Sequence, residues 1–462
     1  MEPEGQRTSL SRRALLTAGW TAAGLGAAVA MWPRTPRSRV NIPAGRTVID
    51  YWEKWTGPEG ESIQRVVDQF NASQSRIFVR RTPVSEIDTK AVVAIGGGDP
   101  PDVCGVFSYN VPQYAQSGAA IPLEEFGGID PLAYIPSVRN LLSFRGKLIA
   151  GVTSIYTLAL YYNRAIFREA GLDPDAPPRT VQELEEVAQR LTRTGAGGQI
   201  ELAGFLPNLP TWWPYTWPIL FGSTLYDAAA NRSTFDRPEC TRAYQWVRSF
   251  PAKLGAQQTR AFGTAVDRSY HSEQDPFISG RVAMIAQGPW LANFINRYNP
   301  TLEYAAAPLP VDASLLEPGQ PLGMVEADVL IIPRGAKNPE AAFEFVKYTQ
   351  SQQVQEQLAR EHTKSSPLMA CSEAFRTGHP NKYVHVHDQI ARSARVSILP
   401  QTTVWKSYAH LTEGVFDAAW KGDDVEALCQ QTHTRVQAML DRDAMLRDRR
   451  GGGGATAGRV GA

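Results

Sequence analysis

Thr47-Val-Ile-Asp-Tyr-Trp52 is a β-type run, and the residues that follow it decide the fold. Between Gly60 and Asn71, Ile63, Val66, Val67 and Phe70 recur at i, i+3, i+4 and i+7, which places them on one buried helical face. Ile77 to Arg81 reads as the next strand. Ile87, Ala91, Val92 and Ile95 mark a second helix closed by Gly96-Gly97-Gly98, and Asp102-Val-Cys-Gly-Val-Phe107 is a third strand. The order βαβαβ predicts a parallel sheet with helices on its faces. The glycines follow a helix and precede a strand, the reverse of a phosphate cradle, so no nucleotide site is expected there.

Outward from this unit the second half is mixed α and β. Ile155 to Tyr162 is strand-like. Thr180-Val-Gln-Glu183 is a capping box opening a helix with Leu184, Val187, Ala188 and Leu191 on one face. Asp236-Arg-Pro-Glu239 begins another helix, Asn338-Pro339 a third, and two more are expected over Val404 to Trp420 and Asp424 to Leu440. At 462 residues with 43% hydrophobic side chains, the chain exceeds one core and can fill two domains.

The ends read differently. Ser11-Arg12-Arg13, a weakly apolar Ala/Gly-rich run and Ala28-Val29-Ala30 predict an export signal of the twin-arginine type over 1–30. The alternative is an uncleaved anchor, for which the many alanines and glycines make a poor span. Residues 31–46, rich in proline and arginine, are expected to be a tether, and 447–462 a disordered tail. Without 1–30 the chain holds 44 basic and 44 acidic side chains, which offers no electrostatic footprint for nucleic acid.

Leu209-Pro-Thr-Trp-Trp-Pro-Tyr-Thr-Trp-Pro218 packs four aromatics into Thr211–Trp217, against 10% in the whole chain. Its prolines put Trp212, Trp213, Tyr215 and Trp217 on a loop or helix edge. Flat apolar faces with hydrogen-bonding edges suit sugar rings, and a small core beneath a long loop is the alternative. Cys104, Cys240, Cys371 and Cys429 are too far apart for a CxxC site; buried thiols or a bridge are open to an exported protein. His385-Val-His387-Asp388 offers two imidazoles but no third ligand, so it is expected to be a solvated loop, with no metal or cofactor implied.

In this order the segments resemble the sugar-binding type of extracellular solute-binding protein that serves bacterial ABC importers, over about residues 47 to 440. The resemblance is carried by Tyr51-Trp-Glu-Lys-Trp55 with Gly57-Pro-Glu59, Gly98-Asp-Pro-Pro-Asp102, Tyr161-Tyr-Asn-Arg164, Phe167-Arg-Glu-Ala-Gly-Leu-Asp173, Gly280-Arg-Val-Ala-Met284 and Gln287-Gly-Pro-Trp290. It implies an α/β, two-lobed periplasmic-binding-protein-like fold, each lobe a sheet flanked by helices, with a hinge and the ligand cleft between them. Carried over by position, the first lobe would hold 47–155 and 287–330, and the second 156–286 and 331–446. The cleft would present Glu53, Trp55, Phe107, Tyr109, Trp213, Tyr215, Trp217, Trp290 and Trp405. The chain departs from the family at Gly323-Met-Val-Glu-Ala-Asp328, where a Gly-Gly pair is common. Glu326 and Asp328, two apart on a strand, would share a face and accept from vicinal hydroxyls or meet a cation; solvated or salt-bridged edge residues are the alternative.

The resemblance implies a non-enzymatic, exported monomer that captures a carbohydrate by hinge closure and delivers it to membrane permease subunits. Two rivals share the same cleft. A secreted glycoside hydrolase needs two carboxyl groups across the scissile bond, and a surface sugar sensor needs no importer.

Overall fold

The computed structural model describes residues 42–452; the export-signal segment 1–30 and most of the tether and tail fall outside them. Of the tether, residues 42–45 are exposed. Arg46 is already fastened to the fold, its guanidinium donating to the Asn71 carbonyl at 2.7 Å. At the other end the helix Val425–Gly452 runs into the expected tail. Met445, Leu446 and Arg447 carry no helix breaker, Arg447 pairs with Asp443 one turn earlier at 3.4 Å, and Gln116 donates to Asp443 at 2.8 Å.

The strand Thr47–Glu53 pairs in parallel with Ile77–Pro83, from Thr47 opposite Ile77 to Glu53 opposite Pro83, and with Val103–Phe107 on its other side. The helices Gly57–Ser73 and Ile87–Gly96 are the expected crossovers. This is the predicted βαβαβ unit, extended into a seven-stranded sheet by the strand Gly323–Pro333 and its partners. That strand is buried along its whole length, antiparallel to Val103–Phe107 on one side and to Gly151–Thr157 on the other. It is an interior strand, so the edge position considered for Glu326 and Asp328 is corrected.

Ile155 to Tyr162, a single strand-like run in the sequence, is two strands in two sheets. Gly151–Thr157 ends in the large sheet, and after Leu158 the strand Ala159–Asn163 lies between Met284–Gln287 and Tyr304–Pro308, antiparallel to both. Each sheet carries its own core. One includes Ile49, Val67, Val106 and Ile155, then Val325 to Leu358. The other includes Leu160, Phe205, Trp246 and Ile285, then Leu291 to Val311 and most apolar residues from Val386 to Leu440.

The two cores group the residues differently from the expected bounds in two places. Residues 291–308 remain with the second core because Tyr304–Pro308 is a hydrogen-bonded neighbour of Ala159–Asn163. The helices Pro339–Thr349 and Gln352–Glu361 bury Phe343, Phe345, Val346 and Leu358 in the first core. They follow a strand in the middle of the large sheet after a short connection, and such a helix packs back on the sheet it leaves.

The local signals are realised as read. Thr180 and Glu183 form the reciprocal capping box of the helix Val181–Leu191, and Pro339 opens its helix. The four cysteines are free thiols, three of them buried. Among the described residues no helix is long and apolar enough to cross a membrane.

Candidate functional site

Glu53 ends the first strand with its carboxylate turned inward, 1% exposed. It accepts from the backbone N–H of Lys54 at 2.8 Å and of Trp55 at 3.2 Å, and from the Tyr51 hydroxyl. A carboxylate that collects the donors of its own exit loop fixes the direction of that loop, and Trp55 is thereby projected past the end of the sheet. Gly105, on the neighbouring strand, leaves the room: a Cβ there would overlap the Glu53 carboxylate. The same strand ends in Phe107, which meets Trp55 edge-on at 6.0 Å and stacks on Tyr109 at 5.3 Å. Trp55 and Phe107 form a wall at the end of the first sheet, and Tyr109 carries it across to the second core.

The facing wall comes from the second core. Pro210 and Pro214 lie in the stretch 209–215, which forms no regular structure, with Trp212 39% exposed and Trp213 and Tyr215 half-buried, while Pro218 falls inside the short helix that follows. Trp213 lies 5.7 Å from Trp290, which follows the strand Met284–Gln287. Trp290 also meets Tyr156 edge-on at 5.3 Å, and Tyr156 belongs to the strand that enters the crossing between the sheets. His271, stacked on Phe294 at 4.3 Å, closes one end, and burial holds its imidazole below its ordinary range. Between the walls is a cavity of about 530 Å³ lined mainly by aromatic side chains.

Its floor is charged. Lys364 Nζ lies 2.8 Å from Glu59, 3.5 Å from Asp328 and 3.1 Å from the Ser154 hydroxyl; Lys54 Nζ lies 3.1 Å from Asp328 and 3.8 Å from Glu53. Burial opposes ionisation of Asp328, but the two ammonium groups outweigh it and hold the carboxyl well below the usual carboxylate range. Burial likewise opposes the charge on Lys54 and Lys364, and their carboxylate partners overcome it, so both are held above the ordinary lysine value. Glu326 is different. Burial dominates and pushes it up to about 8, although the Ser108 hydroxyl and the Ala327 N–H donate to it. Lys364 Nζ also sits 5.7 Å from the Trp55 ring and 5.8 Å from the Trp290 ring, between the two walls. The indole N–H groups of these two tryptophans are buried with no hydrogen-bond partner among the described residues.

Of the residues expected in the cleft, Trp55, Phe107, Tyr109, Trp213, Tyr215 and Trp290 line it. Glu53, Glu326 and Asp328 lie under its floor, fully buried, and none lines the cavity. Trp217 is placed in the second core instead, 5.3 Å from Trp246 and edge-on to Phe205; its short helix Thr216–Leu220 is buried on every residue. Trp405, 2% exposed, backs Tyr215 edge-on at 5.4 Å and reaches the cavity only through it.

Sequence reasoning missed Tyr156, Glu59, His271 and Lys364. Glu59 stood in a quoted motif, but Lys364 sits in the buried polar run His362-Thr-Lys-Ser-Ser366, which has no periodicity to reveal it. His387 is not on a solvated loop. It lies in the helix Val384–Arg392, buried, with its ring nitrogens 2.9 Å from Thr157 Oγ1 and 2.8 Å from the Tyr161 hydroxyl, on either side of the crossing at Leu158. The carboxyl pairs a hydrolase would need are not assembled, since Glu59, itself ion-paired, is the one carboxylate among the lining residues.

The family model for bacterial extracellular solute-binding proteins matches residues 54–356. The maltotriose-binding protein of Pyrococcus abyssi is 23% identical over 334 residues, 68% of this chain and 65% of that protein. An sn-glycerol-3-phosphate-binding periplasmic protein of Yersinia pestis is 27% identical over 160 residues, 32% of this chain. The matches therefore span 65% and 36% of the lengths of these relatives. Among solved structures, CpMnBP1 with mannotriose bound superposes with a TM-score of 0.75 at 25% identity, covering 85% of this chain and all of that one. The sugar-binding protein MalE of Xanthomonas citri superposes with a TM-score of 0.71 at 19% identity, over 87% and 99% of the two chains. The chain belongs to the bacterial extracellular solute-binding proteins, and its fold is the two-lobed α/β fold of these neighbours.

Proposed function

We propose that this solute-binding protein captures a short neutral oligosaccharide between the Trp55/Phe107 wall and the Trp213/Trp290 wall, and hands it to the membrane subunits of an ABC importer. The observation that carries the reading is the pairing of aromatic faces above two lysines that are both already ion-paired to carboxylates. Flat rings on both sides suit the C–H faces of sugars, and the indole N–H groups of Trp55 and Trp290 have no partner among the described residues. The named relatives bind either a maltooligosaccharide or a phosphate ester. A phosphate dianion is held most strongly by free cationic donors, and both cleft lysines are already ion-paired to carboxylates. Burial keeps His271 neutral. A neutral polyhydroxyl ligand needs no free cation and fits this site.

On this reading the first lobe comprises about residues 46–157 and 323–378, and the second 158–322 and 399–446, with 379–398 bridging them. The protein acts as a monomer outside the cytoplasm, exported by its N-terminal signal or held by it at the membrane. Calorimetric titration with maltotriose, mannotriose and sn-glycerol 3-phosphate tests the ligand class. Binding of either trisaccharide with no heat from the phosphate ester is expected; tight binding of the phosphate ester alone overturns the reading. Scattering mass in the same samples tests the monomer.

A further inference from the structure

The helix Gln352–Glu361 ends in an arrangement that ordinarily calls for glycine. Lys364 N–H donates to Ala359 O at 2.8 Å and Thr363 N–H to Arg360 O at 3.0 Å, the paired bonds of a Schellman cap, and Thr363 occupies the left-handed position with φ 57°. A β-branched residue is strained there. Thr363 is also 1% exposed, so solvation of its hydroxyl does not explain its presence.

What its side chain and carbonyl touch does explain it. Thr363 Oγ1 lies 3.1 Å from the carbonyl oxygen of Pro289 and 2.6 Å from that of His362, so its proton is shared between them. The Asn381 amide donates to both Thr363 O, at 3.1 Å, and Pro289 O, at 3.3 Å. Pro289 immediately precedes Trp290, on the wall built from the second core. Lys364, next after Thr363, lies at the floor of the first. The clasp therefore ties the segment that sets the Lys364 ammonium to the segment that sets the Trp290 ring.

We propose that Thr363 is a positioning residue for ligand binding: its strained backbone turns Lys364 into the cleft, and its hydroxyl, with Asn381, holds the Pro289 carbonyl so that Trp290 faces the ligand. Strain kept at a functional position follows a general pattern. The proposal rests on the reading of the cleft as an oligosaccharide site, and its test separates the two.

Thr363→Gly relieves the strain and removes the hydroxyl; Thr363→Ser keeps the hydroxyl. The ligand-free glycine variant should melt no lower than wild type yet bind maltotriose or mannotriose about tenfold more weakly, the scale of one lost hydrogen bond. The serine variant should bind within about twofold of wild type. In ligand-free protein labelled with ¹⁵N at tryptophan, the Trp290 indole resonance, assigned through Trp290→Phe, should shift or broaden in Thr363→Gly and stay in place in Thr363→Ser. The proposal is overturned by wild-type affinity or an unmoved resonance in the glycine variant, by equal losses in both variants, or by affinity and melting temperature falling together. If neither trisaccharide binds wild type, the oligosaccharide reading fails, and the indole resonance alone decides whether Thr363 positions Trp290.

Discussion

Trp290 and Trp217 are the same residue type with different neighbours, and the difference predicts opposite phenotypes. Trp290 lines the cleft with an indole N–H that has no partner among the described residues, whereas Trp217 is 5% exposed against Phe205 and Trp246. Trp290→Ala should weaken oligosaccharide binding by about 2 kcal/mol, close to thirtyfold in Kd, with little change in unfolding free energy. Trp217→Ala should cost about 3–5 kcal/mol in chemical denaturation and leave the Kd of the folded protein nearly unchanged. Loss of affinity in Trp217→Ala at wild-type stability would return that residue to the cleft. Glu326 predicts a pH effect. Its folded value, about 8, lies above the ordinary value of 4.5, so between these limits the folded protein keeps a proton that the unfolded chain has released. Stability attributable to Glu326 is present below pH 4.5, falls as pH rises through the window, and levels off above it. Glu326→Gln should flatten this part of the melting-temperature profile and raise the melting temperature at pH 8. Parallel profiles for variant and wild type would show that Glu326 ionises normally.

At the scale of elements, the strands Thr47–Glu53 and Val103–Phe107 act as a pair, because one supplies the carboxylate that aims Trp55 and the other the glycine that admits it. Gly105→Ala would push the Glu53 carboxylate off the Lys54 and Trp55 N–H groups. The expected outcome is a destabilisation of about 1–3 kcal/mol by overpacking, together with weaker ligand binding as Trp55 loses its direction. Calorimetry and denaturation on the same variant check both, and unchanged values in each would mean that the strands relax apart at no cost. These elements were legible in the sequence because period and caps are local: Ile63, Val66, Val67 and Phe70 all face the core, and Thr180 caps as read. The strand Gly323–Pro333 was less so. Its two acids resemble an edge or a cleft rim, and nothing local reveals that Lys54 and Lys364 pair with Asp328 while burial pushes Glu326 up to about 8.

For the whole molecule, two cores joined through the crossing at Leu158 and the later returns of the chain predict movement. A ligand that contacts Trp55 and Trp290 together favours the state in which both reach it. The radius of gyration in solution scattering should fall when the trisaccharide saturates the protein; an unchanged value with full occupancy would mean that the cleft is already closed without ligand. His387, fastening Thr157 and Tyr161 on either side of Leu158, marks the point about which such movement would be organised.

The amino-acid sequence by itself determined the βαβαβ unit, the second helical half, the family resemblance and six of the aromatic residues that line the cleft, because each rests on local period, capping or motif order. Only the tertiary structure decided which residues share a core. Hydrogen bonding across the sheets keeps 291–308 with the second core and returns 339–361 to the first. It also decided which tryptophans face the cavity, since Trp213 and Trp217 differ by one turn of chain but pack on different neighbours. The charge balance of the floor could not be read in advance either. It depends on Lys54, Glu59, Asp328 and Lys364 meeting across some 300 residues of chain, and on how far burial opposes ionisation once they meet.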